Sequence, residues 1–126
     1  MVLGLGTDLV EIARIEASMT RFGERFLRRI YTPAEIAYCT GRRWGAAESL
    51  AARFAAKEAA AKALGTGISL GVSWLELEVT RAAGGAPGML LHGRAAERAE
   101  RLGVRRVSVS LTHGRAQAMA VVVMEN

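Results

Sequence analysis

The order of hydrophobic patterns along this chain predicts an α+β domain, a small antiparallel sheet packed with one long Ala-rich helix and several short helices. Three observations carry that expectation. Residues 44–64 hold an uninterrupted helical pattern, and ten of the eighteen residues from 46 to 63 are alanine. Residues 73–80 and 104–111 alternate apolar and polar side chains, and a turn stretch follows each of them, at 82–88 and at 112–115. No linker and no internal repeat interrupts the order strand, helices, hairpin, helix, hairpin, so residues 1–126 form a single domain.

Taken in order, residues 2–7 read as a short apolar strand in which Gly4 and Gly6 alternate with Leu3 and Leu5, leaving room for a neighbouring backbone. From Leu9 the period lengthens. Leu9, Ile12, Ile15, Met19 and Phe22 recur every three or four residues and predict an amphipathic helix that stops near Gly23. Asp8 stands at this junction with Glu11 three positions later. It suits a helix N-cap, and it equally suits a carboxylate held at a strand exit for a hard metal ion. A short helix follows over residues 24–31, and Thr32-Pro33-Ala34-Glu35 then starts another with a capping box and a first-turn proline, ending near Gly41. In the long helix Leu50, Phe54, Ala61 and Leu64 mark a core stripe, and Gly65 is placed as the cap. Residues 89–92 complete the first hairpin, residues 93–102 form a helix closed by Gly103, and the valine-rich residues 116–124 form the last strand.

Composition narrows the function classes. The net charge of +5 favours a polyanionic partner, and seven arginines (14, 21, 25, 28, 29, 42 and 43) stand against three glutamates between residues 14 and 43. A nucleic-acid-binding module is one reading of that surface. Aromatic residues make up only 6% of the chain and no zinc-finger or RNP signature is present, which argues against it. Cys39 is the sole cysteine, which forbids an internal disulfide and suits a reducing cytoplasm. The expected protein has no leader and no membrane span. Gly65-Thr66-Gly67 follows a helix instead of leading into one, so the helix dipole disfavours an anion there and the stretch is no P-loop.

Residues 53–67 concentrate the remaining chemistry. Lys57 and Lys62 are the only lysines, against fifteen arginines, and Glu58 lies between them. Phe54, Glu58 and Lys62 share one helical face, so the last two form either a solvated ion pair or part of a site. Spacing alone does not choose.

Three segments taken together do. Gly4-Leu5-Gly6-Thr7-Asp8-Leu9-Val10-Glu11-Ile12 at the start, the run from Phe54 through Lys57-Glu58-Ala59-Ala60-Ala61-Lys62 to Gly67, and Thr112-His113 near the end occur in this order. The chain resembles the holo-acyl-carrier-protein synthases of the 4′-phosphopantetheinyl transferase superfamily over essentially its full length. The resemblance implies that family's fold and a Mg²⁺-dependent transfer of 4′-phosphopantetheine from coenzyme A to a serine of apo acyl carrier protein, releasing adenosine 3′,5′-bisphosphate in support of fatty acid biosynthesis. It implies Asp8 and Glu58 as metal ligands and Lys62 as a phosphate-binding cation, these three being the catalytic set. Arg53, Lys57, Lys62, Gly65 and His113 would face coenzyme A. Arg14, Arg21, Arg25 and Arg28 would dock the acidic carrier protein, and a homotrimer with interfacial active sites is expected. The sequence leaves the general base open, and a metal-dependent hydrolase of nucleotide or pyrophosphate is the competing enzyme reading.

Overall fold

The computed structural model describes residues 1–41, 43–82 and 84–126; Arg42 of the arginine set and Ala83 of the turn at 82–88 lie outside the described residues. The first strand, β1 (Val2–Glu11), is followed by four helices, α1 (Ile12–Phe22), α2 (Glu24–Ile30), α3 (Pro33–Thr40) and α4 (Ala46–Leu64). A 3₁₀ turn at Trp74–Glu76 leads into β2 (Leu77–Arg81), and β3 (Pro87–Leu91), α5 (Gly93–Leu102), β4 (Arg106–His113) and β5 (Gln117–Glu125) complete the chain. The strands form two antiparallel ladders, β1-β5-β4 and β2-β3, so the first hairpin is a ladder of its own.

The α+β class and the long alanine helix are as expected. The junction after β1 is not. The strand runs on to Glu11 because Leu9, Val10 and Glu11 pair with Met119, Ala118 and Gln117 of β5. Leu9 therefore lies in the sheet and not on a helix face, and Asp8 is a strand residue opposite Ala120. The residue before α1 is Glu11, which makes no side-chain cap. The capping box at Thr32 and Glu35 forms as expected, with both reciprocal hydrogen bonds present.

Helix α4 lies across one face of the three-stranded sheet. Gly6, Val10, Ala118, Ala120, Val122 and Met124 are buried on that face, in register with one another. The approach is so close that a Cβ at Gly6 would overlap the carbonyl oxygen of Ala59, and one at Gly4 that of Ala63. Small residues on both partners permit it. The helix is consequently buried almost all round; from Leu50 to Leu64 the residues outside the core are Phe54, Glu58 and Lys62. Phe54, half-buried, packs against the core from this open row and so only partly meets the expected core stripe.

The opposite face of the sheet is uncovered. Leu5 is 64% exposed and Leu9 56%, and Met119 stands beside Leu9 in the ladder.

The strand–helix contact sets a first expectation. Gly6→Val places a side chain against a helix carbonyl that cannot swing aside, and should lower the unfolding free energy by about 3 kcal/mol, the upper range for overpacking, measured as a fall in the urea midpoint.

Candidate active site

The row left open on α4 carries the site. Lys62 extends to β1, where its Nζ donates to Asp8 Oδ1 at 3.1 Å and to the Thr7 carbonyl at 3.0 Å. The lysine side chain is half exposed and Asp8 is mostly covered. Glu58, one turn earlier, makes no ion pair with Lys62; its Oε1 accepts from the indole Nε1 of Trp74 at 3.4 Å. The solvated Glu58–Lys62 pair is thus absent, and Asp8 is the carboxylate partner of Lys62.

Asp8 contacts the Lys62 ammonium and Glu58 stands one turn before Lys62 on the same row; two carboxylates are a donor set that suits a hard divalent cation completed by phosphate oxygens and water. Among the described residues no three His, Cys, Asp or Glu side chains gather into one cluster. A cation here would depend on its anionic substrate for its remaining ligands.

Lys57 is a correction. Its side chain is fully buried, and Nζ donates to Glu35 Oε1 at 2.7 Å and to the carbonyls of Trp74 and Leu77 at 2.9 Å each. All three donors are used inside the protein, so no proton remains for coenzyme A. Burial pulls its pKa below the ordinary lysine value, with the Glu35 carboxylate acting in the opposite sense. Glu35 in turn accepts from the backbone N–H groups of Thr32 and Val79 at 2.9 and 3.0 Å. The reason is positional: residue 57 is one step around the helix from the open row and points into the core.

Arg53 is also almost fully buried, yet it borders a cleft. It donates to the Val79 carbonyl at 3.0 Å and stacks over Tyr38, 4.5 Å from the ring centroid. With Tyr38, Ser49, Arg81, Thr112 and His113 it lines a polar cavity of about 300 Å³. Thr112 and His113 are the last residues of β4, so the turn is shorter than expected and His113 pairs with Ala118. Asp8 pairs with Ala120 and His113 with Ala118 on opposite sides of the central strand β5, so strand spacing and a two-residue offset set them roughly 12 Å apart. Neither Asp8, Glu58 nor Lys62 lines the Arg53–His113 cavity. Gly65 adopts φ 79° as the expected cap, with Thr66 and Gly67 donating to Ala61.

Arg14, Arg21, Arg25 and Arg28 are all exposed on α1 and α2. Arg28 pairs with Glu24 at 3.0 Å, an exposed contact of little energetic weight. Arg25 also borders an apolar cleft of about 480 Å³, together with Phe22, Phe26, Arg29, Phe54 and Trp74. From sequence, Arg29 counts only toward the basic stretch, without a docking role of its own, and Trp74 reads only as a strand residue. Phe22 was placed on a buried helix face and is instead 49% exposed; its position at the end of α1 is the one signal that could have placed it at an opening.

The profile of the 4′-phosphopantetheinyl transferase superfamily matches residues 4–122. A holo-[acyl-carrier-protein] synthase of Koribacter versatilis is 54% identical over 126 residues, covering all of both chains, and that of Solibacter usitatus is 51% identical with the same coverage. Among solved structures, the holo-[acyl-carrier-protein] synthase of Neisseria meningitidis superposes with a TM-score of 0.90 at 37% identity, covering 100% of both chains. That of Helicobacter pylori in complex with coenzyme A gives 0.84 at 36% identity, covering 96% of this chain and 99% of its own. The chain belongs to the 4′-phosphopantetheinyl transferase superfamily and, within it, to the holo-[acyl-carrier-protein] synthases. It is an enzyme of the phosphopantetheinyl transferase class.

The lysine correction yields an expectation of its own. Lys57→Met leaves the Glu35 carboxylate buried without its cation and should cost about 3–5 kcal/mol of stability, read by urea unfolding. Coenzyme A affinity of the folded protein without divalent cation, measured calorimetrically at low temperature, should stay within about two-fold of wild type, a difference of under 0.5 kcal/mol.

Proposed function

We propose that this enzyme transfers 4′-phosphopantetheine from coenzyme A to a serine of an apo acyl carrier protein, with Mg²⁺ at Asp8 and Glu58, and so supplies the carriers of cytoplasmic fatty acid synthesis. The observation that carries the reading is the contact of Lys62 with Asp8 beside Glu58, on the one open row of α4. Coenzyme A in the Helicobacter pylori complex and the carrier protein in the relatives' names supply the substrates by analogy.

In the reaction the serine Oγ attacks the pyrophosphate phosphorus nearer the pantetheine. The P–O bond to the bridging oxygen breaks, adenosine 3′,5′-bisphosphate leaves, and the serine proton is released to water. A divalent cation, when bound, neutralises charge on the pyrophosphate. Lys62 holds a non-bridging or leaving oxygen as charge accumulates on it, having exchanged its ground-state partner Asp8 for phosphate. Asp8 and Glu58 present oxygens from a strand and a helix locked together by the Gly4–Gly6 contact, which limits their reorganisation. Arg53 and His113 line a polar cleft suited to the nucleotide phosphate, with Gly65 beside the phosphopantetheine path. Arg14, Arg21, Arg25 and Arg28 steer the acidic carrier.

The separation of the Arg53–His113 cleft from Asp8, Glu58 and Lys62 favours an assembly in which one copy's cleft meets another copy's carboxylates. The uncovered sheet face with Leu5 and Leu9 is suited to that association, and a homotrimer accommodates it. In sedimentation experiments wild type should run as a trimer, and Leu5→Glu as a monomer with reduced transferase activity.

The direct test incubates the enzyme with coenzyme A, Mg²⁺ and apo carrier protein and weighs the carrier. A mass gain of one phosphopantetheine is expected; coenzyme A cleavage without carrier mass gain would indicate the hydrolase reading instead. Glu58→Gln should lower turnover at least about 100-fold, equivalent to roughly 2.7 kcal/mol. Lys62→Ala should lower kcat more than it raises KM, and Arg14→Ala should raise KM for the carrier, most at low salt.

A further inference from the structure

Trp74 lines the apolar cleft bordered by Arg25 and Arg29 and reaches from it to Glu58. Its ring is stacked on Phe54 with centroids 6.2 Å apart and planes inclined by 29°. Its indole Nε1 donates to Glu58 Oε1, at 3.4 Å. Its main chain is pinned as well. The Trp74 carbonyl accepts from buried Lys57 Nζ, and the same ammonium holds the Leu77 carbonyl at the other end of the 3₁₀ turn. Ser73 and Glu76 close the turn from outside with a capping box. Backbone and ring are thereby both immobilised, and the N–H direction follows.

Glu58 Oε2, by contrast, has no hydrogen-bond partner among the described residues. An indole N–H only donates, and it does not titrate in the physiological range. What it can do to a carboxylate is select one rotamer and engage one oxygen, leaving the other free.

We propose that Trp74 is a positioning residue for Glu58: its indole N–H fixes Oε1 so that Oε2 is presented to the divalent cation and the pyrophosphate, and the buried Glu35–Lys57 pair holds Trp74 in place. The inference rests on Glu58 being the site carboxylate of the transferase reading. It gives Lys57 a function at a distance. The lysine touches no substrate, and it orients the carboxylate of the next residue in the chain by way of a carbonyl sixteen residues beyond that carboxylate.

Trp74→Phe keeps the ring stack and deletes the N–H. Outer-sphere hydrogen bonds to ligating carboxylates are worth about 10- to 100-fold in metal affinity. At 3.4 Å the lower end applies. The half-saturating Mg²⁺ concentration in the carrier mass-gain assay should rise about 10-fold, with kcat at saturating Mg²⁺ within about two-fold of wild type and an unchanged unfolding midpoint. A second measurement does not depend on activity. In a Trp44→Phe background Trp74 is the sole tryptophan, and its emission should shift on adding Mg²⁺ with coenzyme A. Adding Glu58→Leu, which removes the acceptor, should alter the emission of the free protein and abolish the shift. A wild-type Mg²⁺ requirement in Trp74→Phe, or Trp74 emission indifferent to Glu58→Leu, overturns the proposal. Absence of any mass gain with wild type overturns the transferase reading instead, and the free-protein emission still decides the Trp74–Glu58 contact.

Discussion

The contact on which this structure depends is the approach of a helix backbone to a strand backbone, with Gly4 and Gly6 of β1 set against the carbonyls of Ala63 and Ala59 of α4. Side chains of ordinary size would hold helix and sheet about 10 Å apart; glycine on one partner and alanine on the other remove the spacer. The closeness has a chemical consequence. Lys62 is long enough to cross from the helix to both the Asp8 carboxylate and the Thr7 carbonyl. Asp8 and the Glu58–Lys62 row are thereby held by two rigid elements with no loop between them, the arrangement that least disturbs a site when charge develops in it.

The same closeness explains how the helix treats its own charges. A helix buried on nearly every side leaves one row for polar chemistry, and Phe54, Glu58 and Lys62 occupy it. The two basic residues outside that row must be neutralised internally. Arg53 does so through the Val79 carbonyl and the face of Tyr38. Lys57 requires a full counter-charge, and Glu35 supplies it from a capping box whose own backbone N–H already satisfies part of that carboxylate. A buried ion pair of this kind contributes little net stability against an apolar pair, and its worth lies in the geometry it enforces. Here that geometry is the turn bearing Trp74.

Much of the fold was legible because its signals are local. The capping box at Thr32, the αL glycines at 65 and 103, the alternation in β4 and the valine run of β5 each depend on a few adjacent residues. The end of β1 was not legible, because Leu9, Ile12 and Ile15 satisfy a helical period as well as a strand that continues to residue 11. The choice was made by β5, more than a hundred residues away, whose Ala118 and Gln117 hold the last rungs of the ladder. The 3₁₀ turn at Trp74 failed for a similar reason. Its sequence alternates like a strand, but a buried ammonium from α4 draws together the carbonyls of Trp74 and Leu77.

Of the candidate site, Asp8, Glu58 and Lys62 were legible only as a set, since spacing alone allowed a solvated pair that the structure lacks. Lys57 and Lys62 show the limit of reading charges by type. They differ by five residues, a rotation of about 140° on a helix of 3.6 residues per turn, and that rotation separates a half-exposed ammonium at a carboxylate from one sealed in the core. A lysine beside a family motif therefore says little about substrate until the helix face is known. When the face is buried, the lysine can still serve the site through what it holds, and in this chain what it holds is the carbonyl of the residue whose indole reaches Glu58.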